Sequence, residues 1–175
     1  NSDLGFQYGA LVDLYNYGDG KIYPKYYERI YVEWSRFTKG SGINNLSFES
    51  NRLLKGRTIF FDVMYNPDDQ YDFLGMNGYE SMYNLNWIDP STQDYKTRMF
   101  YKNQTKLFRI KLDVLNPINK KLSWTAGMIF YDIGVDTVDI EKFNKGKDDA
   151  DKLPSNTTQP GLYQRYVDWG LIPED

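Results

Sequence analysis

The stretch Leu107-Phe108-Arg109-Ile110-Lys111-Leu112-Asp113-Val114-Leu115-Asn116 decides the fold. Phe108, Ile110, Leu112 and Val114 share one parity, while Arg109, Lys111 and Asp113 share the other. Successive side chains of a strand point to opposite faces, so this segment is apolar on one side and charged on the other. The alternation recurs upstream in Leu4, Phe6, Tyr8, Ala10, Val12 and Leu14 against Gly5, Gln7, Gly9 and Asp13. It returns in Ile30/Val32/Trp34 against Arg29/Tyr31/Glu33/Ser35, and in Leu122/Trp124/Ala126/Met128/Phe130 against Ser123/Thr125/Gly127. Strands of this length, with a charged opposite face and aromatics near their ends, fit a wall between lipid and a wet lumen.

Working outward, the sequence predicts an all-β chain, an antiparallel up-and-down meander of about six strands forming part of a transmembrane β-barrel. The expected strands are Leu4–Tyr15, Tyr26–Thr38, Ile43–Ser50, Arg57–Tyr65, Thr97–Leu115 and Leu122–Ile133. Lys39-Gly40-Ser41-Gly42 should form a tight hairpin turn, because glycine supplies the positive φ such turns need. Antiparallel alternation puts the long connections, 66–95 and 134–175, at one end of the strands and the short turns at the other, the asymmetry of outer-membrane barrels. That parity requires Thr97–Leu115 to be one strand and not a hairpin at Asn103-Gln104-Thr105. Residues 1–134 are thus read as barrel strands carrying an aromatic loop at 66–95. Residues 135–175 are read as an extracellular loop with a short helix near 162–169, opened by Pro160-Gly161 and stopped by Gly170.

Composition narrows the chemistry. The chain of 175 residues has neither Cys nor His, so Cys/His zinc sites, thiol chemistry and imidazole-dependent triads are excluded. A net charge of −3 argues against a nucleic-acid partner, which needs a basic stripe. Aromatics make up 17% of residues, including 16 Tyr, a bias suited to interfaces where a ring is apolar and its tip wet. No apolar run approaches a membrane-spanning helix, but barrel strands bury only every second residue in lipid. The start at Asn1-Ser2-Asp3, without Met, is expected to be an internal or processed end.

No catalytic, cofactor-binding or metal-binding residue is expected, and the chain is read as a non-enzyme. The acidic groups Asp68/Asp69/Asp72 and Asp148/Asp149/Asp151 lack EF-hand spacing and are read as solvated loop charge. Glu33, Glu49 and Asp62 could in principle serve a hydrolase, yet each falls on a polar strand face opposite Arg29, Arg109 and Lys111. An ionic network filling a lumen explains them without catalysis. Tyr71, Phe73, Tyr79, Tyr83 and Trp87 are expected to fold the 66–95 loop back over its own barrel as a lid. Gly75 and Gly78 form no phosphate-binding fingerprint, and the triplets headed by Asn45, Asn103 and Asn156 matter only in a glycosylating route.

The order of several short motifs resembles the first part of a BamA/TamA-type surface-antigen barrel, the outer-membrane assembly and translocation superfamily, in its Gram-negative anaerobe form. The resembling residues are Asp3-Leu4-Gly5-Phe6-Gln7-Tyr8-Gly9-Ala10, Thr38-Lys39-Gly40-Ser41-Gly42, Asp62-Val63-Met64-Tyr65 and Tyr71-Asp72-Phe73-Leu74-Gly75-Met76-Asn77-Gly78. Gly161-Leu162-Tyr163 and Trp169-Gly170-Leu171-Ile172-Pro173 resemble a loop of the same group. The resemblance implies that Leu4–Tyr15 is the second strand of a sixteen-stranded barrel whose first strand lies before Asn1. It implies an outer-membrane location and a part in protein or lipid assembly or transport. The family's POTRA repeats, its lateral seam and its Arg-Gly-Phe loop have no counterpart here, so no functional residue is carried over.

About six strands cannot close, since spanning barrels have at least about eight. The expectation is therefore a fragment or one of several chains sharing a barrel. Its lipid-facing belt is expected to be Leu4, Phe6, Val12, Ile30, Val32, Trp34, Phe61, Val63, Ile110, Leu112, Trp124 and Met128. Its lumen is expected to be lined by Asp13, Arg29, Glu33, Asp62, Arg109 and Lys111. Expected partners are outer-membrane lipid, the remaining barrel strands and accessory proteins on the long loops. The alternative is a soluble secreted β-sandwich that binds carbohydrate through its aromatic loop and packs its alternating faces as an ordinary core.

Overall fold

A computed structural model describes residues 4–76 and 83–173. Asp3, Asn77 and Gly78 of the resembling motifs, Tyr79 of the aromatic loop and the last two residues lie outside them. The chain is all-β: six strands form one sheet in the order of the sequence. They are β1 (Gln7–Asn16), β2 (Glu28–Phe37), β3 (Gly40–Ser50), β4 (Thr58–Asp72), β5 (Lys102–Pro117) and β6 (Ser123–Thr137). The pairs β1/β2, β2/β3 and β3/β4 are antiparallel, with Val12, Val32, Leu46 and Val63 level across four strands. The sheet is an open meander, with β1 and β6 as its edges.

Local chemistry accounts for the boundaries. Between β2 and β3 the chain reverses at Thr38-Lys39, and Gly40 (φ 101°) and Ser41 (φ 60°) take the left-handed region that the turn demands. β5 is a single strand, so no hairpin forms at Asn103-Gln104-Thr105. β4 runs on to Asp72, seven residues beyond its expected end at Tyr65. Pro67 is tolerated there because it lies past Tyr65, the last β4 residue paired with β3, so its missing N–H breaks no bond to that strand. Asp68 follows at φ 57°, a backbone conformation typical of a bulge.

The chain divides into two compact units, 1–67 with 106–133 and 68–105 with 134–175. The second joins both long connections, which the sequence reading had kept apart at residue 134. It contains two short helices, α1 (Ile140–Asn144) and α2 (Leu162–Asp168). Asp139 caps α1 by accepting from the Lys142 N–H at 3.2 Å. The Asn144 side chain clamps Leu153 through two hydrogen bonds, 2.8 and 2.7 Å. α2 begins after Pro160-Gly161 and ends at Gly170 (φ 69°), whose N–H donates to the Val167 carbonyl.

Buried apolar side chains are distributed unequally. In the sheet unit Leu4 is the one found among the described residues; the other buried residues there are Ser35, Ser41, Gly42 and Ser50. The second unit holds Met99, Phe100, Tyr101, Val138, Ile140, Phe143, Leu153, Tyr163 and Tyr166. Phe100 is 1% exposed and meets Trp87 edge-on at 5.2 Å. Phe73 packs edge-on against both Tyr163 (5.3 Å) and Tyr166 (5.2 Å). This core is carried by the inward sides of α1 and α2 together with irregular segments, and among the described residues the sheet unit has no comparable apolar cluster.

Candidate functional site

The sheet unit has two chemically distinct faces, and both are candidate functional surfaces. Register assigns them for the first four strands. Ala10, Trp34, Asn44 and Tyr65 form one row, Val12, Val32, Leu46 and Val63 the next, and Leu14, Ile30, Phe48 and Phe61 the third. Ion pairs extend the assignment. Arg109 donates to Asp62, so Ile110 and Leu112 lie on the face opposite that contact. A Cβ at Gly127 would collide with Asp113, which places Trp124, Ala126 and Met128 on the apolar side.

That apolar face is uncovered. Val12 is 50% exposed, Val32 41%, Leu46 43%, Trp124 42% and Met128 72%. Phe6, Ile30 and Trp34 are exposed as well, while Phe61, Val63, Ile110 and Leu112 are half-buried among their neighbours. Leu4 departs from the expected belt: it precedes β1 and is 5% exposed, its carbonyl accepting from the Lys39 N–H. Leu46, Phe48, Tyr65, Phe108 and Val114 join the face although the sequence-derived belt omitted them. The signal existed for Phe108 and Val114, in strict alternation. On β3 the alternation is short, Leu46 and Phe48 against Asn45, Ser47 and Glu49, with Asn44 the polar member of the apolar parity. Polar or aromatic residues bound the face at both ends. Asn16, Glu28 and Ser50 close the turn end, and Tyr8 and Arg36 the other. Tyr8 meets Trp34 edge-on at 5.8 Å, and the Arg36 guanidinium lies 5.4 Å over the Trp34 ring.

The other face is an ionic network. Arg29 makes a bidentate pair with Asp13, both contacts 2.9 Å, and its guanidinium lies between the rings of Tyr15 and Tyr31. Asp62 accepts from Arg109 and from the Ser47 hydroxyl, the latter at 2.8 Å. Lys111 pairs with Asp113 at 2.8 Å, and Glu33 accepts from the Tyr31 hydroxyl at 2.7 Å. Thus Asp13, Arg29, Glu33, Asp62, Arg109 and Lys111 share one surface, together with Glu49 and Asp113. Arg29, Tyr31, Glu49, Phe60, Asp62 and Arg109 line a depression of about 300 Å³ in it. At its turn end, burial and the Glu49 carboxylate 2.8 Å away push the Tyr26 hydroxyl up to about 12.

Geometry also bears on hydrolysis. Glu33 and Asp62 are two strands and two residues apart, about 12 Å between Cα atoms by sheet spacing. Each carboxylate is satisfied by its own neighbours, an arrangement suited to holding structure. Among the described residues no group of three or more acidic side chains could hold a metal ion. Asp68 corrects the reading of its cluster as solvated charge. Its side chain is 15% exposed, bonded to Lys142 at 2.7 Å and to the Gln104 amide at 2.7 Å. That contact holds the Lys142 ammonium above the usual lysine range.

Of the described rings of the aromatic connection, Phe73 and Trp87 pack internally while Tyr71 and Tyr83 are exposed. Phe73 and Trp87 are packed as described above, and Tyr83 leans on Tyr101 at 5.1 Å. The Lys96 ammonium sits 3.5 Å from the Trp87 ring centroid, where burial and Arg165 lower its pKa. Among the described residues the apolar face has no second sheet across it. Comparison with known proteins adds no relative: no family model, no curated protein and no solved structure matches this chain.

Proposed function

We propose that this chain forms part of the wall of an outer-membrane β-barrel of the surface-antigen type, acting in protein or lipid assembly or transport and not as an enzyme. One observation carries the reading: an apolar face six strands wide is left open while the opposite face satisfies its charges internally. Three apolar rows, each about 6.8 Å deep, across six strands at about 4.8 Å spacing give a footprint of about 590 Å². The largest apolar patch on a water-soluble monomer is typically about 300–600 Å², so this face lies at the top of that range. Hydrocarbon is the medium that accepts such a face without a second protein layer.

Dimensions agree. The shortest strands have 10 residues, within the range of about 9–11 that a tilted membrane strand needs. At a tilt of about 40° the distance between the two polar rims spans about 21 Å, close to the lipid-facing band of about 25 Å in known barrels. The free edges of β1 and β6 call for further strands, because unpaired backbone groups in lipid cost several kcal/mol each. The motif resemblance supplies the assembly or transport role, and the folded connections offer surfaces to accessory proteins.

The test is the state of the expressed chain with and without detergent. The reading requires a monodisperse species in detergent or lipid and aggregation in plain buffer. A monodisperse monomer in plain buffer overturns it.

A further inference from the structure

The three short turns at one end of the sheet are rich in exposed cations. The turn 17–27 carries Lys21 and Lys25, the turn 51–57 carries Arg52, Lys55 and Arg57, and the turn 118–122 carries Lys120 and Lys121. All seven are exposed. One acidic residue, Asp19, accompanies them, so the turns carry a formal charge of +6 in a chain whose total is −3. Asp19 is paired with Lys21 at 2.7 Å, while among the described residues the other six cations make no ion pair. Glu28 adjoins the turns at the start of β2 and accepts from Asn16.

These turns touch one another. The Asn51 N–H donates to the Tyr27 carbonyl, the Arg52 guanidinium lies 5.8 Å over the Tyr27 ring, and Arg57 donates at 3.0 Å to Asn116, at the end of β5 just before the third turn. Each turn also exposes apolar side chains beside its cations: Tyr23 at 72%, Leu53 at 60% and Ile118 at 59%. Water solvates the cations but does not reward the exposed apolar side chains between them. Cations held at the rim of an apolar face, interleaved with exposed Tyr, Leu and Ile, match a headgroup layer. There the rings and aliphatic groups enter the acyl boundary, and the ammonium and guanidinium groups meet phosphodiesters.

We propose that this turn end is a docking surface for anionic lipid headgroups, so that the leaflet at the short-turn side is the one rich in acidic phospholipid. This rests on the membrane-wall reading. Attraction to an anionic surface is worth about a fivefold gain in partitioning for each Lys or Arg near it, and it is lost within a Debye length.

The experiment measures partitioning of the chain into vesicles of phosphatidylcholine, alone or mixed with phosphatidylglycerol, at low and high salt. The wild type is compared with a variant carrying Arg52→Gln, Lys55→Gln, Lys120→Gln and Lys121→Gln. A charge-preserving variant, Arg52→Lys, Lys55→Arg, Lys120→Arg and Lys121→Arg, controls for folding. The expected result is a preference for the anionic vesicles that high salt abolishes, that falls at least tenfold in the glutamine variant, and that survives in the charge-preserving one. Equal partitioning of wild type and glutamine variant into anionic vesicles overturns the proposal. Partitioning of the wild type into both vesicle types without an anionic preference overturns it alone, leaving the wall reading intact. Exclusion from both vesicle types overturns the wall reading itself. Soluble polyglutamate binding the wild type but not the glutamine variant, without anionic-lipid preference, assigns the surface to an acidic protein and overturns the lipid assignment.

Discussion

Replacing Val32 by Arg places a charge at the centre of the open apolar face. Val32 lies four residues from Arg36 and four from Glu28, so about 13 Å along the strand separates it from either polar rim. It stands level with Val12, Leu46 and Val63, with further apolar rows above and below. An Arg at the midplane of a barrel wall costs about 2–4 kcal/mol. That is a drop of about 30- to 700-fold in the folded-to-unfolded ratio in lipid. In water the same residue, 41% exposed, belongs to the class of surface substitutions worth within about 0.5 kcal/mol. The two media therefore differ by well over tenfold in what they predict. The assay is urea unfolding from phospholipid vesicles, followed through Trp fluorescence, with Thr125→Arg on the exposed polar side of β6 as the matched control. Val32→Arg should lower stability by at least about 2 kcal/mol and Thr125→Arg by less than about 0.5 kcal/mol. If Val32→Arg unfolds at the wild-type midpoint, or if both variants lose equally, the face does not meet hydrocarbon.

Phe100→Ala should cost about 3–5 kcal/mol, because Phe100 is 1% exposed at the centre of the only apolar core the described residues contain. Limited proteolysis should then open 83–101 and 138–173 while the strands β1 to β3 keep their wild-type resistance; unchanged cleavage refutes that account of the core. The Lys142–Asp68 contact raises the Lys142 pKa in the fold, so its stabilisation is fully present below the unfolded lysine value, about 10.4, and is lost as pH rises through the higher folded value. Lys142→Met should be less stable than wild type at neutral pH in denaturant titrations, and the two curves should converge in the alkaline range above about 10.4. A gap that persists at that pH assigns the loss to packing instead.

Strand positions were legible because a period of two is written into five of the six strands by apolar residues alternating with polar residues or glycine. Leu107–Asn116 alone carried enough alternation to place the body of β5, which starts at Lys102 and not near Thr97, and the Lys39–Gly42 glycines marked a reversal that falls at Thr38-Lys39, with Gly40 and Gly42 already in β3. The partition of charges was equally legible: Asp13, Arg29, Asp62 and Arg109 each fall on the parity opposite an apolar neighbour, and the structure joins them in pairs. What the sequence concealed has a common cause. β3 alternates only briefly, Leu46 and Phe48 against Asn45, Ser47 and Glu49, so its place on the apolar face is fixed by pairing with β2 and β4. The extension of β4 past Pro67 depends on where pairing with β3 stops. The core of Met99, Phe100 and Tyr101 is built from residues distant in sequence, Phe73, Trp87, Tyr163 and Tyr166, of which only the last two share a local spacing, three apart on α2. Asp68 read as loop charge because its partners, Gln104 and Lys142, lie 36 and 74 positions away.

The two free margins of the sheet have a consequence of arithmetic. β1 and β6 run in opposite directions, since six strands alternate from one to the other. Any set of strands that bridges them while keeping every neighbour antiparallel must begin and end with opposite sense as well. Such a set is always even in number, so a cylinder completed from this sheet has an even total, whatever chain supplies the remainder.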